Sequence, residues 1–419
     1  MSIKPISISL SPNVESDDVR LTLGLILLPW KWKKGKAIQE LEQVFRNYFN
    51  IKYSFSFNSG RSGLTTILKS LNLEKGSKVI TQAFTCNAAI NPILWSGLKP
   101  VYVDCNKDDF NIDVEDLEKT LEKDKEKNIK VVIVQHTFGL PANMNKILEI
   151  VEKNNLILIE DCAHSLGAEY NNKKVGTFGK ATYFSFSRDK IISSVYGGMV
   201  ITNNDELAQK IKENQESLNF PNNYWTFQQL LHPILLNFII LPLYNFIDLG
   251  KIFLVLSQGL HILSKAVHWK EKIGEQPNYF SRRLPNALAL LALNQFKKLE
   301  RFNNHRQEIA SFYYQELKNT NFVLPQIFLE RKNTFLRFTI KHPEAHEIIY
   351  NSWHRENILL GDWYTSAIAP EDTKIENFFY NSQDCPNAEE LSKITLNLPT
   401  HINISIDDAK KIIQNLIRK

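Results

Sequence analysis

The sequence predicts an α/β protein with a mostly parallel sheet in a large N-terminal domain and a smaller α+β domain at the C-terminus. Three observations predict this class. Six short runs rich in Val and Ile recur between residues 77 and 202, and helical segments separate several of them. A long amphipathic segment after residue 286 then precedes a second, sparser set of strand-like runs. Crossovers long enough to hold a helix favour parallel pairing.

The first part of the chain is predicted to alternate helices and strands. Apolar residues at helical spacing predict a helix over residues 38–49. A turn at residues 58–63 leads into another helix, and Gly60 and Gly63 allow a close backbone approach there. The strand-like runs are residues 77–82, 100–104, 130–135, 156–161, 181–186 and 197–202.

The last part of the chain is predicted to bridge two domains and then to form the smaller one. One continuous amphipathic helix is predicted over residues 286–317. Beyond it, residues 335–342, 356–363 and 394–399 are strand-like. A closing helix follows, with Ser405 as its N-cap. We predict a large domain over residues 1–215, an apolar helical insertion over 216–276, and the bridging helix with the small domain over 277–419.

Composition fits a globular protein and excludes several other classes. The chain has 419 residues, of which 43% are apolar and 23% charged, so it is neither disordered nor collagen-like. Its net charge of +5 is spread along the chain and does not predict nucleic-acid binding. Four cysteines without CxxC or zinc spacing predict reduced thiols and no metal site, and the N-terminus lacks the apolar segment of a secretory signal.

One acid and one lysine carry the chemical signal. Asp161 ends an apolar strand, and ligands bind beyond the strand ends of open α/β sheets, so its carboxylate is either a ligand contact or a helix cap. Lys190 follows Ser185 by five residues. Most lysines are solvated, but a lysine in a pocket that lowers its pKa is a covalent catalyst. With a Gly/Ser turn at a helix start for a phosphate, these groups are the set that pyridoxal 5′-phosphate (PLP) uses.

The chain resembles the DegT/StrS group of nucleotide-sugar aminotransferases, which are PLP enzymes of fold type I. The resemblance covers nearly the whole chain. It rests on ordered motifs that include SFNSGRSGL, VQHTFGLPANM, LILIEDCAHSLGAEY, RLPNALALLALNQ and CPNAEELSKITLNLPTH. It implies a fold-type-I PLP-dependent transferase with a seven-stranded sheet in the large domain. It also implies an amino-acid donor, predicted to be L-glutamate, a nucleotide-linked keto sugar as acceptor, a role in surface-polysaccharide or amino-sugar biosynthesis, and a homodimer.

The resemblance assigns roles by position. Lys190 matches the lysine that bonds covalently to PLP, and Asp161 matches the acid that holds the pyridine nitrogen protonated. His164 matches a position beside the ring, near its phenolic oxygen. Ser185 matches the serine that binds the phosphate. Lys190 and Asp161 are therefore the predicted catalytic residues.

Other positions match the cofactor site less closely. The turn of Gly60, Arg61 and Ser62 matches the phosphate cradle, but the family often has Thr where Arg61 stands, so this side chain either pairs with the phosphate or points away. Cys86 stands where an aromatic residue often covers the ring. Ser281 aligns with an asparagine that the neighbouring subunit donates to the phosphate.

Several alternatives remain open at this stage. Arg282 and Arg283 either contact a phosphate or a substrate carboxylate, or are exposed arginines at a helix start. A PLP-dependent sugar dehydratase or lyase of the same family is a second function, although that branch replaces the lysine with His. A non-catalytic regulator that keeps the fold is a third, but the chain shows no added DNA-binding module.

Residues 217–247 contain no Asp, Glu, Lys or Arg. Pro233 and Pro242 argue against a simple membrane-spanning helix. Two interpretations remain: a helical hairpin that packs on the large domain or on a dimer partner, or an apolar surface within 225–265 that contacts a membrane. We therefore expect a cytoplasmic protein that is either free or peripheral at the inner face of the membrane.

Overall fold

The computed structural model describes residues 4–417. Its strands, numbered in chain order, are β1 (Ile6–Ser7), β2 (Tyr53–Phe57), β3 (Lys78–Gln82), β4 (Thr85–Cys86), β5 (Lys99–Val103), β6 (Ile129–Gln135), β7 (Ile157–Asp161), β8 (Glu169–Tyr170), β9 (Lys173–Lys174), β10 (Ala181–Ser185), β11 (Gly198–Thr202), β12 (Arg331–Lys332), β13 (Phe338–Lys341), β14 (Ile358–Leu359), β15 (Ile368–Ala369) and β16 (Thr395–Leu398).

The helices surround and extend the strands. In chain order they are α1 (Ser16–Ile26), α2 (Ala37–Phe49), α3 (Gly60–Ser70), α4 (Asn87–Trp95), α5 (Val114–Lys123), α6 (Met144–Lys153), α7 (Asp205–Ser217), α8 (Asn223–Leu235), α9 (Leu249–Gly259), α10 (Asn286–Phe296), α11 (Leu299–Leu317), α12 (Ala345–Glu356), α13 (Pro386–Ile394) and α14 (Ile406–Ile417).

A seven-stranded sheet lies at the centre of the structure, with the order β2-β11-β10-β7-β6-β3-β5. All neighbouring pairs are parallel except those of β11, which runs antiparallel to β10 and to β2. The apolar runs form such strands because both faces of the sheet are covered by helices. The predicted mostly parallel, seven-stranded sheet of an α/β protein is confirmed.

The side chains of β6 show how the sheet feeds two cores. Val131 and Ile133 point to the side where α3 and α7 pack, whereas Val132 and Val134 point to the side of α2 and α6. Successive residues of a strand face opposite sides of a sheet, so a continuous run of Val and Ile serves both cores. All four side chains are almost fully buried.

Two glycines let the start of α3 lie directly against the sheet. A Cβ on Gly198, the first residue of β11, would come within 2.5 Å of the backbone of Ser59 and Gly60. A Cβ on Gly60 would lie 3.1 Å from the Cβ of Ser185 at the end of β10. The first turn of α3 is therefore held beside the end of β10.

The C-terminal part of the chain forms a second core around the antiparallel pair β13 and β16. The closing helix is present as α14, and Ser405 caps it by accepting a hydrogen bond from the backbone N–H of Asp408 at 3.1 Å. The predicted domain boundaries stay a prediction, with one difference. The first strand, Ile6–Ser7, pairs in parallel with Ile358–Leu359 and so lies with the C-terminal part.

The prediction of one continuous helix over residues 286–317 is wrong, because the chain turns between α10 and α11 at Lys297 and Lys298. The side chain of Lys298 forms salt bridges with three acids near the start of α1, among them Asp17 and Asp18. Gln295 also donates to Asp18, at 2.6 Å. These tertiary contacts hold the break, and helical periodicity carries no sign of them.

Most of the uncharged stretch belongs to a hairpin, here residues 223–259, in which α8, a π-helical turn at Leu236–Ile240 and α9 follow one another. Its inner side packs through a small apolar cluster that includes Leu236, Ile240 and Tyr244. The outer face of α9 is apolar and exposed, at 51% for Ile252, 68% for Val255 and 56% for Leu256. Within the described residues, no helix has both the length and the apolar character to cross a membrane.

The contact between Gly198 and the start of α3 predicts a stability effect. We expect Gly198→Ala to lower the free energy of unfolding by about 1–3 kcal/mol, because the new methyl group meets backbone that cannot move aside. Urea denaturation followed by circular dichroism measures the change. Gly24→Ala is the matched control, because a Cβ there meets nothing within 4 Å in a helix interior, and it should be neutral or stabilising by up to about 1 kcal/mol. Equal effects in the two variants would contradict this account.

Candidate active site

A cavity of about 280 Å³ opens at the carboxyl ends of the central strands. β6 supplies Gln135, β7 supplies Asp161 and β10 supplies Ser185, while residues 362–370 close the cavity from the C-terminal part. This is the edge at which open α/β sheets bind ligands. The sequence-predicted residues that line the cavity are Gly60, Arg61, Cys86, Asp161, His164, Ser185 and Lys190.

The first turn of α3 offers two unused backbone donors to this cavity. Ser59 caps the helix: its Oγ accepts from the N–H of Ser62 at 3.0 Å, and its carbonyl accepts from the N–H of Gly63 at 3.1 Å. The N–H groups of Gly60 and Arg61 remain, and the first N–H groups of a helix have no acceptor within the helix itself. Ser185 lies beside these N–H groups, because Gly60 closely approaches it. Two free N–H groups at a helix N-terminus and a hydroxyl form an anion-binding corner.

Asp161 contributes a buried carboxylate to the cavity, a group of opposite charge preference to the anion-binding corner. It is 4% exposed, and its Oδ1 accepts a hydrogen bond from the N–H of Ala163 at 2.9 Å. Burial raises the pKa of this carboxyl, while the N–H of Ala163 and the charge of Lys190 act in the other direction. The carboxylate is therefore suited to a ligand group that brings a proton or a positive charge.

The neighbouring acid, Glu160, has a different task. It points to the other face of β7, where its carboxylate accepts from the N–H groups of Gly176, Phe178 and Gly179 at 2.7 Å each. His136 lies 3.2 Å away and holds the pKa of this buried carboxyl low against the cost of burial. Glu160 thus fastens the loop after β9, and only Asp161 reaches the cavity.

Lys190 lies in the cavity with its Nζ 4.9 Å from the ring centre of Trp363. Desolvation lowers the pKa of Lys190 to about 8, and the charge of Arg337 lowers it too, whereas Asp161 opposes the change. An amine with a pKa near 8 is partly neutral at physiological pH, so it can act as a nucleophile and as a base.

The backbone at Lys190 is held by the N-terminal segment. The side-chain amide of Asn13 donates to the carbonyl of Lys190 and, at 3.2 Å, to that of Ile191. Arg306 of α11 in turn donates to the Oδ1 of Asn13 at 2.7 Å. The loop that carries Lys190 is thus fixed from two distant parts of the chain.

His164 and Cys86 lie on the cavity wall as their predicted roles require. The Nδ1 of His164 accepts from the N–H of Phe138 at 3.3 Å, so the proton of the neutral ring is on Nε2. The ring stacks on Trp363 at 5.4 Å, and burial lowers the pKa of His164 well below its usual value. The Sγ of Cys86 accepts from the N–H of Ala88 and so caps α4.

Two predicted residues do not reach the cavity. The hydroxyl of Ser62 is turned inward, where it donates to the Oδ1 of Asn58 at 2.7 Å and accepts from the N–H of Ser281 at 2.9 Å. The hydroxyl of Ser281 accepts from Gln276 at 2.8 Å. The hydroxyl of Ser62 therefore supports the start of α3, and Ser281 contributes to that support through its backbone N–H. The role predicted for Ser281 concerns the phosphate site of a neighbouring subunit and stays a prediction.

The three candidate arginines differ in position. Arg61 lies on the cavity wall. Its guanidinium pairs with the buried Glu271, which does not line the cavity, and lies 4.3 Å from the ring centre of Phe280. Arg282 donates to the carbonyl of Asn278 at 3.0 Å, and Arg283 lies over the ring of Phe220. Neither Arg282 nor Arg283 lines the cavity.

Sequence reasoning missed the residues that the C-terminal part brings in. Trp363 lies between two cations, since Arg337 is 3.3 Å from its ring centre and Lys190 is 4.9 Å from it. The short strand β15 pairs with β4 and draws this segment against Cys86. The only signal in the sequence is an aromatic pair, Trp363 and Tyr364, directly after a strand-like run, and that pattern is too common to mark a site.

A family model and curated relatives match nearly the whole chain. The model of the DegT/DnrJ/EryC1/StrS aminotransferase family matches residues 25–233 and 248–417, and residues 234–247 between these ranges belong to the tip of the hairpin. GDP-perosamine synthase of Caulobacter vibrioides is 25% identical and aligns over 97% of this chain and 96% of that protein. UDP-4-amino-4,6-dideoxy-N-acetyl-beta-L-altrosamine transaminase of Campylobacter jejuni is 28% identical, over 96% and 95%.

A solved structure shares the fold. NtdA from Bacillus subtilis with bound cofactor PMP superposes with a TM-score of 0.76. Its sequence is 20% identical, and the superposition covers 100% of this chain and 85% of that chain. At this identity the likeness establishes the fold, which confirms the predicted fold type.

The lowered pKa of Lys190 predicts how its reactivity depends on pH. We expect acylation of Lys190 by an amine-reactive reagent to reach half its maximal rate near pH 8, because only the neutral amine reacts. Arg337→Gln should move this midpoint upward, since it removes a cation that disfavours protonation. Mass spectrometry of digests after labelling at a series of pH values measures the midpoint. In urea-unfolded protein it should lie near the ordinary lysine value of about 10.4, and the same midpoint in the folded protein would refute the assignment.

Proposed function

The chain belongs to the DegT/DnrJ/EryC1/StrS aminotransferase family, and from this membership we propose that it moves an amino group from an amino acid to a keto group of a nucleotide-linked sugar. L-Glutamate is the proposed donor, and PLP is the cofactor. Relatives named for GDP-perosamine synthesis and for a UDP-sugar transamination support the class of acceptor. The products would enter surface-polysaccharide or amino-sugar biosynthesis.

One observation carries the proposal: an anion corner, a buried carboxylate and an amine of lowered pKa face the same cavity. PLP has a phosphate, a pyridine nitrogen and an aldehyde. The residues fit these groups, because the N–H groups of Gly60 and Arg61 with Ser185 suit the phosphate, Asp161 suits a protonated nitrogen, and Lys190 suits the aldehyde carbon.

The chain's own residues have distinct tasks in this reaction. Bound PLP supplies an electron sink for the carbon that loses a proton. Asp161 holds a proton at the pyridine nitrogen, and its burial strengthens that interaction. Lys190 takes a proton at its Nζ and returns it, and a pKa of about 8 suits both directions at physiological pH. Trp363 and His164 exclude water from one wall of the cavity.

The two alternative functions differ from transamination in what they produce. A sugar dehydratase or lyase of this family would remove a hydroxyl group and leave no donor nitrogen in the sugar. A regulator would bind PLP without turnover. Lys190 favours transamination, because the dehydratase branch of the family has a histidine at the matching position.

The proposed reaction predicts transfer of labelled nitrogen. With PLP, ¹⁵N-labelled L-glutamate and a panel of 3-keto and 4-keto nucleotide sugars, we expect one ¹⁵N-labelled amino sugar by mass spectrometry. Lys190→Ala should lower the rate by about 10²–10⁴-fold, because it removes the group that moves the proton, while the exposed Lys153→Ala should not. A deoxygenated sugar without ¹⁵N would identify the dehydratase, and PLP binding with no product across the panel would favour the regulator.

We also propose a homodimer that lies peripherally at the cytoplasmic face of the membrane. The support for membrane contact is the outer face of α9, where Leu249, Ile252, Val255 and Leu256 are each at least 44% exposed. Their spacing puts them on one side of the helix. Asp248 is the one acid among residues 217–270, and it is paired with Lys251, so little negative charge opposes an anionic lipid surface.

The two interpretations of this apolar face give opposite results in one experiment. We expect the wild-type protein to sediment with phosphatidylglycerol vesicles, and Ile252→Glu/Val255→Glu to bind them at least about tenfold more weakly, because two aliphatic side chains lose their burial. Leu329→Glu is the control, since Leu329 is fully exposed outside the hairpin. Light scattering should give twice the 48.5 kDa chain mass for all three proteins. A double variant that becomes monomeric would show instead that the face joins two subunits.

A further inference from the structure

The cavity contains a buried arginine, Arg188, that the roles above do not use. Arg188 is 8% exposed, and among residues 4–417 no carboxylate lies within salt-bridge distance of it. Its Nε has no hydrogen-bond partner among the described residues. The other arginine on this wall, Arg61, differs because Glu271 already neutralises it.

The guanidinium of Arg188 is held firmly in place. Its Nη2 donates to the carbonyl of Ser264 at 2.7 Å and to the Oγ of Ser264 at 2.6 Å. The group lies 5.7 Å from the ring centre of Tyr196, whose hydroxyl donates to the carbonyl of Lys265 at 2.7 Å. The chain that returns from the hairpin, residues 263–273, is therefore a fixed support for Arg188 on the cavity wall, and we call it the returning segment.

An unpaired cation in this position favours an anion. A buried charge without a partner is costly, and here burial lowers the pKa of Arg188 although Tyr196 and Asp189 act in the other direction. Two acids lie near. Glu271 pairs with Arg61. Asp189 attracts Arg188 electrostatically but forms no ion pair with it, and burial raises the pKa of the Asp189 carboxyl. The positive charge of Arg188 is thus left for a ligand.

Phosphate is the anion that the surroundings favour. Arg61 and Arg188 lie over the same ring, that of Tyr196, at 5.9 and 5.7 Å from its centre. Arg61 is also the second residue of α3, next to the free N–H groups of the anion corner. Helix-start N–H groups combined with guanidinium donors are a recurring way to bind phosphate oxygens.

We propose that Arg188, aligned by Ser264 of the returning segment, is a phosphate-binding residue of this cavity. The bound phosphate is either that of the cofactor or part of the diphosphate of the sugar substrate. Both candidates are ligands of the proposed function, so this part of the inference rests on it. The returning segment thereby links the apolar hairpin to ligand binding, since Ser264 and Glu271 hold the two arginines on this wall.

Binding measurements test the proposal without relying on activity. Isothermal titration of the purified full-length protein with pyrophosphate, PLP, pyridoxal, GDP and UDP gives five affinities. We expect Arg188→Gln to weaken binding of at least one phosphate-bearing ligand by about 10- to 100-fold, because a charge-assisted contact is lost. Pyridoxal has no phosphate, so its affinity should not change. Arg188→Lys should restore part of the loss, and Ser264→Ala should weaken the same ligand by a few-fold.

The pattern of losses identifies the source of the phosphate. A loss confined to PLP assigns Arg188 to the cofactor, and a loss confined to GDP or UDP assigns it to the substrate. Unchanged affinities for PLP, both nucleotides and pyrophosphate would overturn the proposal. If wild-type protein failed to bind PLP, the proposed function would fail, but the pyrophosphate and nucleotide titrations would still decide on Arg188. Arg20→Gln, an exposed arginine on α1, is the control, and Arg188→Lys with Ser264→Ala replaces Arg188→Gln should that variant not fold.

Discussion

The rest of the site depends on the close contact between the first turn of α3 and the ends of β10 and β11. Gly60 and Gly198 make this approach possible, since a side chain on either would meet its neighbours at 3.1 Å or less. The contact sets two free N–H groups beside Ser185, at the point where the chain leaves β10 and continues to Lys190. This one backbone contact therefore positions both the anion-binding start of α3 and the loop after β10 that carries the amine of Lys190. The electrostatic effect of a helix N-terminus falls off within the first turn, so an anion must lie close to the start of α3 to benefit from it.

Several charged groups are buried together in the cavity, and their burial explains its chemistry. The cations on or beside its wall are Arg61, Arg188, Lys190 and Arg337, and the acids are Asp161, Asp189, Glu271 and Asp362. Desolvation disfavours every one of these charges, but the cations also repel each other. Burial lowers the pKa of Lys190, and the buried Arg188, which has no ion pair among the described residues, favours a ligand with phosphate groups. An amine that is partly neutral and an anionic ligand are both consequences of one electrostatic environment.

The C-terminal part and the hairpin complete what the sheet begins. β15 pairs with β4 and brings Trp363 over Lys190. The returning segment supplies Glu271 to Arg61 and Ser264 to Arg188. Surface-exposed α9 and the buried cavity are therefore joined by a short and well-anchored stretch of chain.

Strand periodicity predicted the mostly parallel α/β fold. The order of the motifs, through the family resemblance, implied the seven-stranded sheet and singled out Asp161 and Lys190, because motif order is a local property that survives without coordinates. Only the alternation of β7 in the folded sheet sends Glu160, the neighbour of Asp161, to the loop after β9. Tertiary structure decided the rest. It turned the hydroxyl of Ser62 away from the cavity, broke the helix at Lys298, brought Trp363 and Arg337 to Lys190, and brought Ser264 to Arg188. These outcomes depend on contacts between residues far apart in the chain, and such contacts leave no periodic or motif signal in a single sequence.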